Sequence, residues 1–220
     1  MTTSSRMFSR LVAAASLALL SGCLSRTVGS TATTVAPGET RTSASVAAGL
    51  YNDRRDLGSG VVTKQFTGYP SLLELETRFG LTPRSDVGLR ITGLSEVLAS
   101  YKVRIAGSNE ASAVAVQISG GAAYQGLVPT AGVTLLASGD QRRRTSVYGG
   151  LRFQALKSLS DDVDLKQLGN EGGGFFGWQL RRGSWVFLPE IAVLKGNNFL
   201  RDDPTLLVIP AITFRRDRSK

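Results

Sequence analysis

The chain has 220 residues, room for one large domain or two small ones, with 26 Lys and Arg against 17 Asp and Glu and a formal charge of +9. It has no histidine and one cysteine, which excludes Ser-His and Cys-His nucleophile activation, histidine metal sites and any intramolecular disulfide. A basic excess favours anionic partners, but no basic run is interleaved with the aromatics that stack on bases, so nucleic acid is not expected.

The first element combines Arg6 and Arg10, an apolar or small stretch from Leu11 to Leu20, and Ser21-Gly22-Cys23. A basic start, about ten apolar residues and a small-residue cleavage site make a secretory signal peptide. The stretch falls short of the about 20 apolar residues a spanning helix needs. Leu20-Ser21-Gly22-Cys23 resembles a bacterial lipoprotein signal. That resemblance implies loss of residues 1–22 and a diacylglycerol thioether on Cys23, with an acyl chain such as palmitate and no other cofactor. Leu24 in place of Asp after the cysteine implies delivery to the outer membrane. Residues 23–40 are Ser/Thr-rich with Pro37 and Gly38 and read as a disordered, flexible tether.

Residues 41–220 read as one β domain, because the hydrophobic period is two. A weak strand covers Thr42 to Tyr51. Glu74, Glu76 and Arg78 then alternate with Leu73, Leu75, Thr77 and Phe79. After a Pro83 turn, Asp86, Gly88, Arg90 and Thr92 alternate with Val87, Leu89 and Ile91. The period continues through Val97–Ile105, Ala113–Ser119, Thr130–Ser138, Val147–Gln154, Phe176–Arg181, Trp185–Val193 and Leu206–Arg215. No amphipathic helix stands out; Val163–Leu168 could form one turn in a loop. Gly172–Gly174 ends a loop or starts a strand with a bulge.

Strands of about 9 to 12 residues suit a bilayer crossing, which takes about 9 to 11, better than a soluble sandwich, where about five or six is usual. Aromatic residues at strand ends (Tyr51, Tyr69, Phe79, Phe153, Trp178, Trp185, Phe214) suit interfacial girdles. Short links at 80–85, 107–110, 139–144 and 182–183 alternate with longer ones at 52–68, 158–173 and 196–204; the link at 120–126 is intermediate, and the short one at 93–95 breaks the pattern as a tight outer turn. Short periplasmic turns and long outer loops give that alternation. The fold expected is therefore all-β: a closed antiparallel up-and-down β-barrel of about ten strands, within a range of about 8–12. Pro129, Pro189 and Pro210 should then mark bulges or a strand start, because proline donates nothing to a ladder.

The run from Leu73 to Arg90, with its Gly80-Leu81-Thr82 turn leading to Asp86-Val87-Gly88, looks like a recurring hairpin of small bacterial outer-membrane barrels. The chain as a whole is similar to outer-membrane β-barrel lipoproteins of porin-like build. It departs from the usual barrel ending, since Arg215-Arg216-Asp217-Arg218-Ser219-Lys220 follow Phe214. The resemblance implies an outer-membrane location with the lipid anchor inserted from the periplasmic side.

In such a barrel Glu74, Glu76, Arg78, Asp86, Arg90, Lys102, Arg104, Arg152, Arg181 and Glu190 form a lumen-facing polar network that fills a narrow bore. Leu75, Leu89, Val103, Leu151 and Ile191 face lipid. Glu74 and Glu76 share a face but lie beside Arg78, which holds them ionised rather than free for acid–base work. No catalytic residue and no metal site is expected; Asp161, Asp162, Asp164, Asp202 and Asp203 read as solvated loop acids rather than calcium ligands. The expected partners are outer-membrane lipids, lipopolysaccharide among them, with Arg142–Arg144 near the phosphates; the sequence names no protein partner. The function expected is a non-enzymatic structural or interaction role. The alternatives are a periplasmic lipid-tethered, lipocalin-like barrel with an apolar ligand, or a narrow pore.

Overall fold

A computed structural model describes residues 27–56, 62–70, 73–93, 96–123, 128–156, 169–197 and 204–217. Eleven strands follow in order: β1 (Thr40–Asp56), β2 (Val62–Pro70), β3 (Glu74–Thr82), β4 (Ser85–Thr92), β5 (Glu96–Gly107), β6 (Ala113–Ala123), β7 (Val128–Ser138), β8 (Thr145–Leu156), β9 (Gly169–Arg182), β10 (Trp185–Asn197) and β11 (Pro204–Arg216). Each pairs antiparallel with its neighbours, and β1 pairs with β11, so the sheet closes on itself. β3 lies opposite Thr40–Ser45 and β2 opposite Ala48–Asp56 on the same edge of β1. The two therefore make one interrupted stave, and the cylinder has ten places. The described residues include no helix.

Period-two alternation sets the faces. Along β3 and β4, Glu74, Glu76, Arg78, Asp86 and Arg90 are buried, while Leu75, Phe79, Leu89 and Ile91 are exposed. The exposed apolar row continues around the cylinder through Val97, Ile118, Val133, Leu151, Phe176, Ile191 and Leu206. The polarity of a water-soluble barrel is thus reversed on the outside. Inside there are two walls. β3–β5 supply the charged one. β6–β11 supply a largely apolar one, built from Leu136, Tyr148, Phe175, Val186, Leu188, Leu194 and Ile209 with Glu171, Glu190 and Arg215 set among them.

Several expectations need correction. The link at 52–68 is mostly ladder: Asp53 pairs with Gln65 and Asp56 with Val62. Pro129 is the second residue of β7, at the strand start. Pro189 and Pro210 sit at no bulge. Instead the β10–β9 ladder lacks pairs at Leu188 and Pro189, and the β11–β1 ladder lacks them at Ile209 and Pro210, with register kept on both sides. A missing pair absorbs the missing donor as well as a bulge does. The register shifts lie elsewhere, between Gly80 and Thr82 and between Arg104 and Ala106. Gly172–Gly174 lie within β9 in regular register. The turn at 163–168 and the loop acids lie outside the described residues.

The largest correction concerns the expected tether. Residues 27–35 are all buried. They run down inside the cylinder, not outside it, and leave at the short-turn end. There Pro37 bridges to Gly80, and Gly38 N–H donates to Gly80 O at 2.9 Å. Gly80 is required at this corner, because a Cβ would meet the Ala36 carbonyl oxygen at 2.0 Å.

Candidate functional site in the occupied lumen

The charged wall is a chain of ion pairs. Arg78 Nη1 lies 2.6 Å from Glu76 and its Nε donates to Asp86 at 2.7 Å. Arg90 Nη2 lies 3.0 Å from Glu76 and its Nη1 3.6 Å from Glu74. Lys102 Nζ is 3.6 Å from Asp86 and fully buried. Adjacent strands place these residues in register, Glu76 opposite Arg90 and Asp86 opposite Lys102. Acids and bases therefore meet across one hydrogen-bonded ladder without reaching.

The network does not fill the bore alone. It closes on the backbone of residues 27–35. Arg90 donates to Thr27 O at 2.6 Å and to Val28 O at 2.7 Å, and Arg152 donates to Thr27 O at 3.2 Å. Glu190 accepts the N–H groups of Val28 and Gly29 at 2.9 and 3.1 Å, and the Tyr148 hydroxyl at 3.1 Å. Lys102 donates to Thr31 O and Ser30 Oγ, both at 3.2 Å. Asp86 accepts Val35 N–H at 2.9 Å. At the turn end Thr34 donates from its N–H to Asn109 Oδ1 at 2.9 Å and from its hydroxyl to Pro83 O at 3.1 Å. Thr27 also donates its hydroxyl to Glu74. Side chains from five strands, β3, β4, β5, β8 and β10, thus satisfy an extended peptide that would otherwise bury unpaired backbone groups. Val28 and Ala32 turn the other way and pack on the apolar wall. Beside Thr27, Val28, Arg90 and Gln117 lies a cavity of about 20 Å³, room for a single water.

The structure brings eight of the ten expected network residues into this lumen: Glu74, Glu76, Arg78, Asp86, Arg90, Lys102, Arg152 and Glu190. Arg104 and Arg181 sit at the turn end instead. Arg104 donates to Pro83 O at 3.0 Å, and Arg181 to Asp217 at 3.1 Å. Asp217 is shared there with Arg215 and Arg41 at 3.2 and 3.7 Å. Burial raises the Asp217 carboxyl, but the guanidinium groups of Arg215, Arg41 and Arg181 outweigh it and hold the carboxyl below its ordinary value. Cys23 lies outside the described residues. Sequence reasoning missed Thr27–Val35, Tyr148, Gln117 and Asn109 as partners. Tyr148 alone carried a signal, as an aromatic on the polar face of its strand. Among the described residues no group of acids or cysteines is placed to hold a metal, and Glu76 and Asp86 are each bound by two cations.

No protein-family model matches the sequence, and no curated protein sequence does. Among solved structures the chain is similar to the outer membrane protein OprG from Pseudomonas aeruginosa, at 11% identity and a TM-score of 0.34, over 85% of this chain and 97% of that one. It is also similar to Ail, the attachment invasion locus protein of Yersinia pestis, at 13% identity and a TM-score of 0.34, over 81% of this chain and 99% of that one. The functional reading rests on the barrel's own polarity and not on these likenesses.

Proposed function

We propose that this chain is a non-enzymatic, lipid-anchored β-barrel of the bacterial outer membrane with a structural or interaction role. One observation carries the proposal: buried charge inside and an exposed apolar band outside. A bilayer stabilises that arrangement and water does not. A lipocalin-like carrier needs a dry apolar chamber with room for a ligand. A lumen walled on one side by ion pairs and occupied by the chain's own backbone argues against it. Exposed Phe79, Phe153, Trp178 and Trp185 support interfacial seating. Phe176–Trp178 and Phe187–Phe214 pack edge to face at 4.8 and 5.6 Å toward the turn end. Arg142 and Arg143 are exposed beyond that level and suit anionic lipid headgroups.

The lipid on Cys23 rests on the signal-like sequence. Strand parity, which puts Thr40 and Arg216 at the same end of the cylinder, supports periplasmic-side anchoring. A second reading is favoured by the lumen: Thr27 lies at the level of Glu74 and Glu190, and the chain descends from there to the turn end. The second reading is accordingly an anchor on the loop side, ahead of Thr27. The test of the whole proposal is carbonate extraction of Cys23→Ala with migration before and after boiling. An embedded, heat-modifiable band supports the barrel in the membrane; release into the carbonate supernatant refutes it.

A further inference from the structure

We infer that Thr27–Val35 is a built-in stopper, and that the barrel without it is an aqueous pore for small ions. The inference rests on the membrane-barrel reading. The stopper itself gauges the bore. A ten-place barrel whose lumen admits an extended backbone with Thr, Val, Ser and Ala side chains has, once vacated, a passage of that cross-section. An extended peptide is wider than a water molecule or a potassium ion.

Val28 and Ala32 pack on the apolar wall, but the way the segment's backbone is held points to a separable part. It makes no ladder with any strand; its one backbone bridge comes after it, at Pro37. Its backbone hydrogen bonds go to side chains: Arg90, Arg152, Glu190, Lys102 and Asp86 take its carbonyls and amides. Those groups already have partners within the wall, as Arg90 does in Glu76 and Lys102 and Arg78 do in Asp86. Removing the segment therefore returns charged side chains to water without leaving them buried and unpaired. The β1–β11 seam is made by Ser43–Tyr51 and Leu207–Arg215, all outside the stopper, so closure of the cylinder does not depend on it.

The vacated wall carries acids (Glu74, Glu76, Asp86, Glu96, Glu171, Glu190) and bases (Arg78, Arg90, Lys102, Arg152, Arg215) in nearly equal number. Rings of a single sign confer ion selectivity; here the signs are mixed and nearly cancel, so the pore passes cations and anions with little preference.

The experiment uses planar bilayers in potassium chloride. The full chain, refolded in detergent and shown folded by heat-modifiable migration, is expected to give a silent baseline. Deletion of residues 27–36 is expected to give discrete current steps with a reversal potential near zero in a salt gradient. A synthetic peptide of sequence Thr-Val-Gly-Ser-Thr-Ala-Thr-Thr-Val should block those steps, and a scrambled peptide should not. A folded deletion variant that stays silent overturns the inference, as does block by the scrambled peptide equal to block by the true one. If the deletion does not refold, Glu190→Gln in the full chain decides. Loss of the carboxylate that takes the Val28 and Gly29 amides should produce flickering openings, and a silent trace from that folded variant overturns the inference. Absence of heat-modifiable migration in the unaltered protein would count against the membrane barrel itself, separately from the stopper.

Discussion

Leu151 and Arg152 are neighbours on β8 with opposite surroundings, and substituting Leu151 separates a membrane barrel from a water-soluble one, with Arg152 as the control. Leu151 is 62% exposed, the most of any large apolar residue described. It lies six positions beyond Thr145, where β8 leaves its turn. At about 3.4 Å per residue and a tilt of about 45°, that is roughly 14 Å. The site is then close to the middle of a hydrocarbon layer about 30 Å thick. Snorkelling brings an arginine head to water only near the interface, so at this depth the guanidinium would stay in hydrocarbon. The cross-strand partners, Leu135 and Gly174, offer it no acid. Leu151→Arg is therefore expected to cost about 2–4 kcal/mol. With a urea slope of about 2 kcal/mol per molar, the unfolding midpoint falls by about 1–2 M. In water the same change merely replaces an exposed leucine and stays within about 0.5 kcal/mol of neutral. Arg152→Leu removes the bond to Thr27 O and is expected to cost about 1–3 kcal/mol in either case. The assay is urea unfolding in phospholipid vesicles, read by heat-modifiable migration. A Leu151→Arg midpoint equal to or above the parent's would refute the reasoning.

Asp86→Asn should be the most damaging lumen change, about 3–5 kcal/mol, because Asp86 serves Arg78, Lys102 and Val35 N–H together; the same urea series checks it. Asp217 should stabilise the turn end above the ordinary carboxyl range and lose that contribution as pH falls through its lowered pKa. Parent and Asp217→Asn melting temperatures should therefore differ at neutral pH and converge in acid. An epitope inserted between Cys23 and Thr27 should be detected by antibody on intact cells if the chain enters from the loop side; detection only after permeabilisation would favour periplasmic anchoring. Purified protein should turn over no lipid or peptide substrate, since Glu74 and Glu76 are committed to arginines. Turnover that is lost in Glu76→Gln would contradict this.

The barrel was legible because period two is a strict code. Once Glu74, Glu76 and Arg78 share a face, Leu75 and Phe79 must share the other, and the same holds for Arg90 against Leu89. Period alone leaves open which face is wet; strand length, the aromatic residues at strand ends and the alternation of short and long links supplied that. The stopper was not legible. Thr27–Val35 has the composition of a linker, and its partners are wall residues as far as 162 positions away. They hold it through carbonyl and amide groups that every residue possesses, so its side chains carry almost no trace of where it lies. The hairpin at 52–70 was hidden for a related reason. Asp53, Arg54, Arg55 and Asp56 look like loop, yet they pair with Gln65 to Val62 because a ladder extended beyond the apolar band asks nothing of side-chain polarity.

The order of the chain makes the seam and the stopper a problem of assembly. Thr27–Val35 comes immediately before β1, and β1 is one lip of the seam with β11, the last strand to be made. A cylinder that sealed first would have to draw its own beginning through a finished hole. If the segment instead lies across β3–β5 while the sheet is still open, nothing has to be threaded, and the last strand closes over a bore already occupied. The barrel then wraps around its own first residues as around a mandrel, and the passage is shut from the moment it exists.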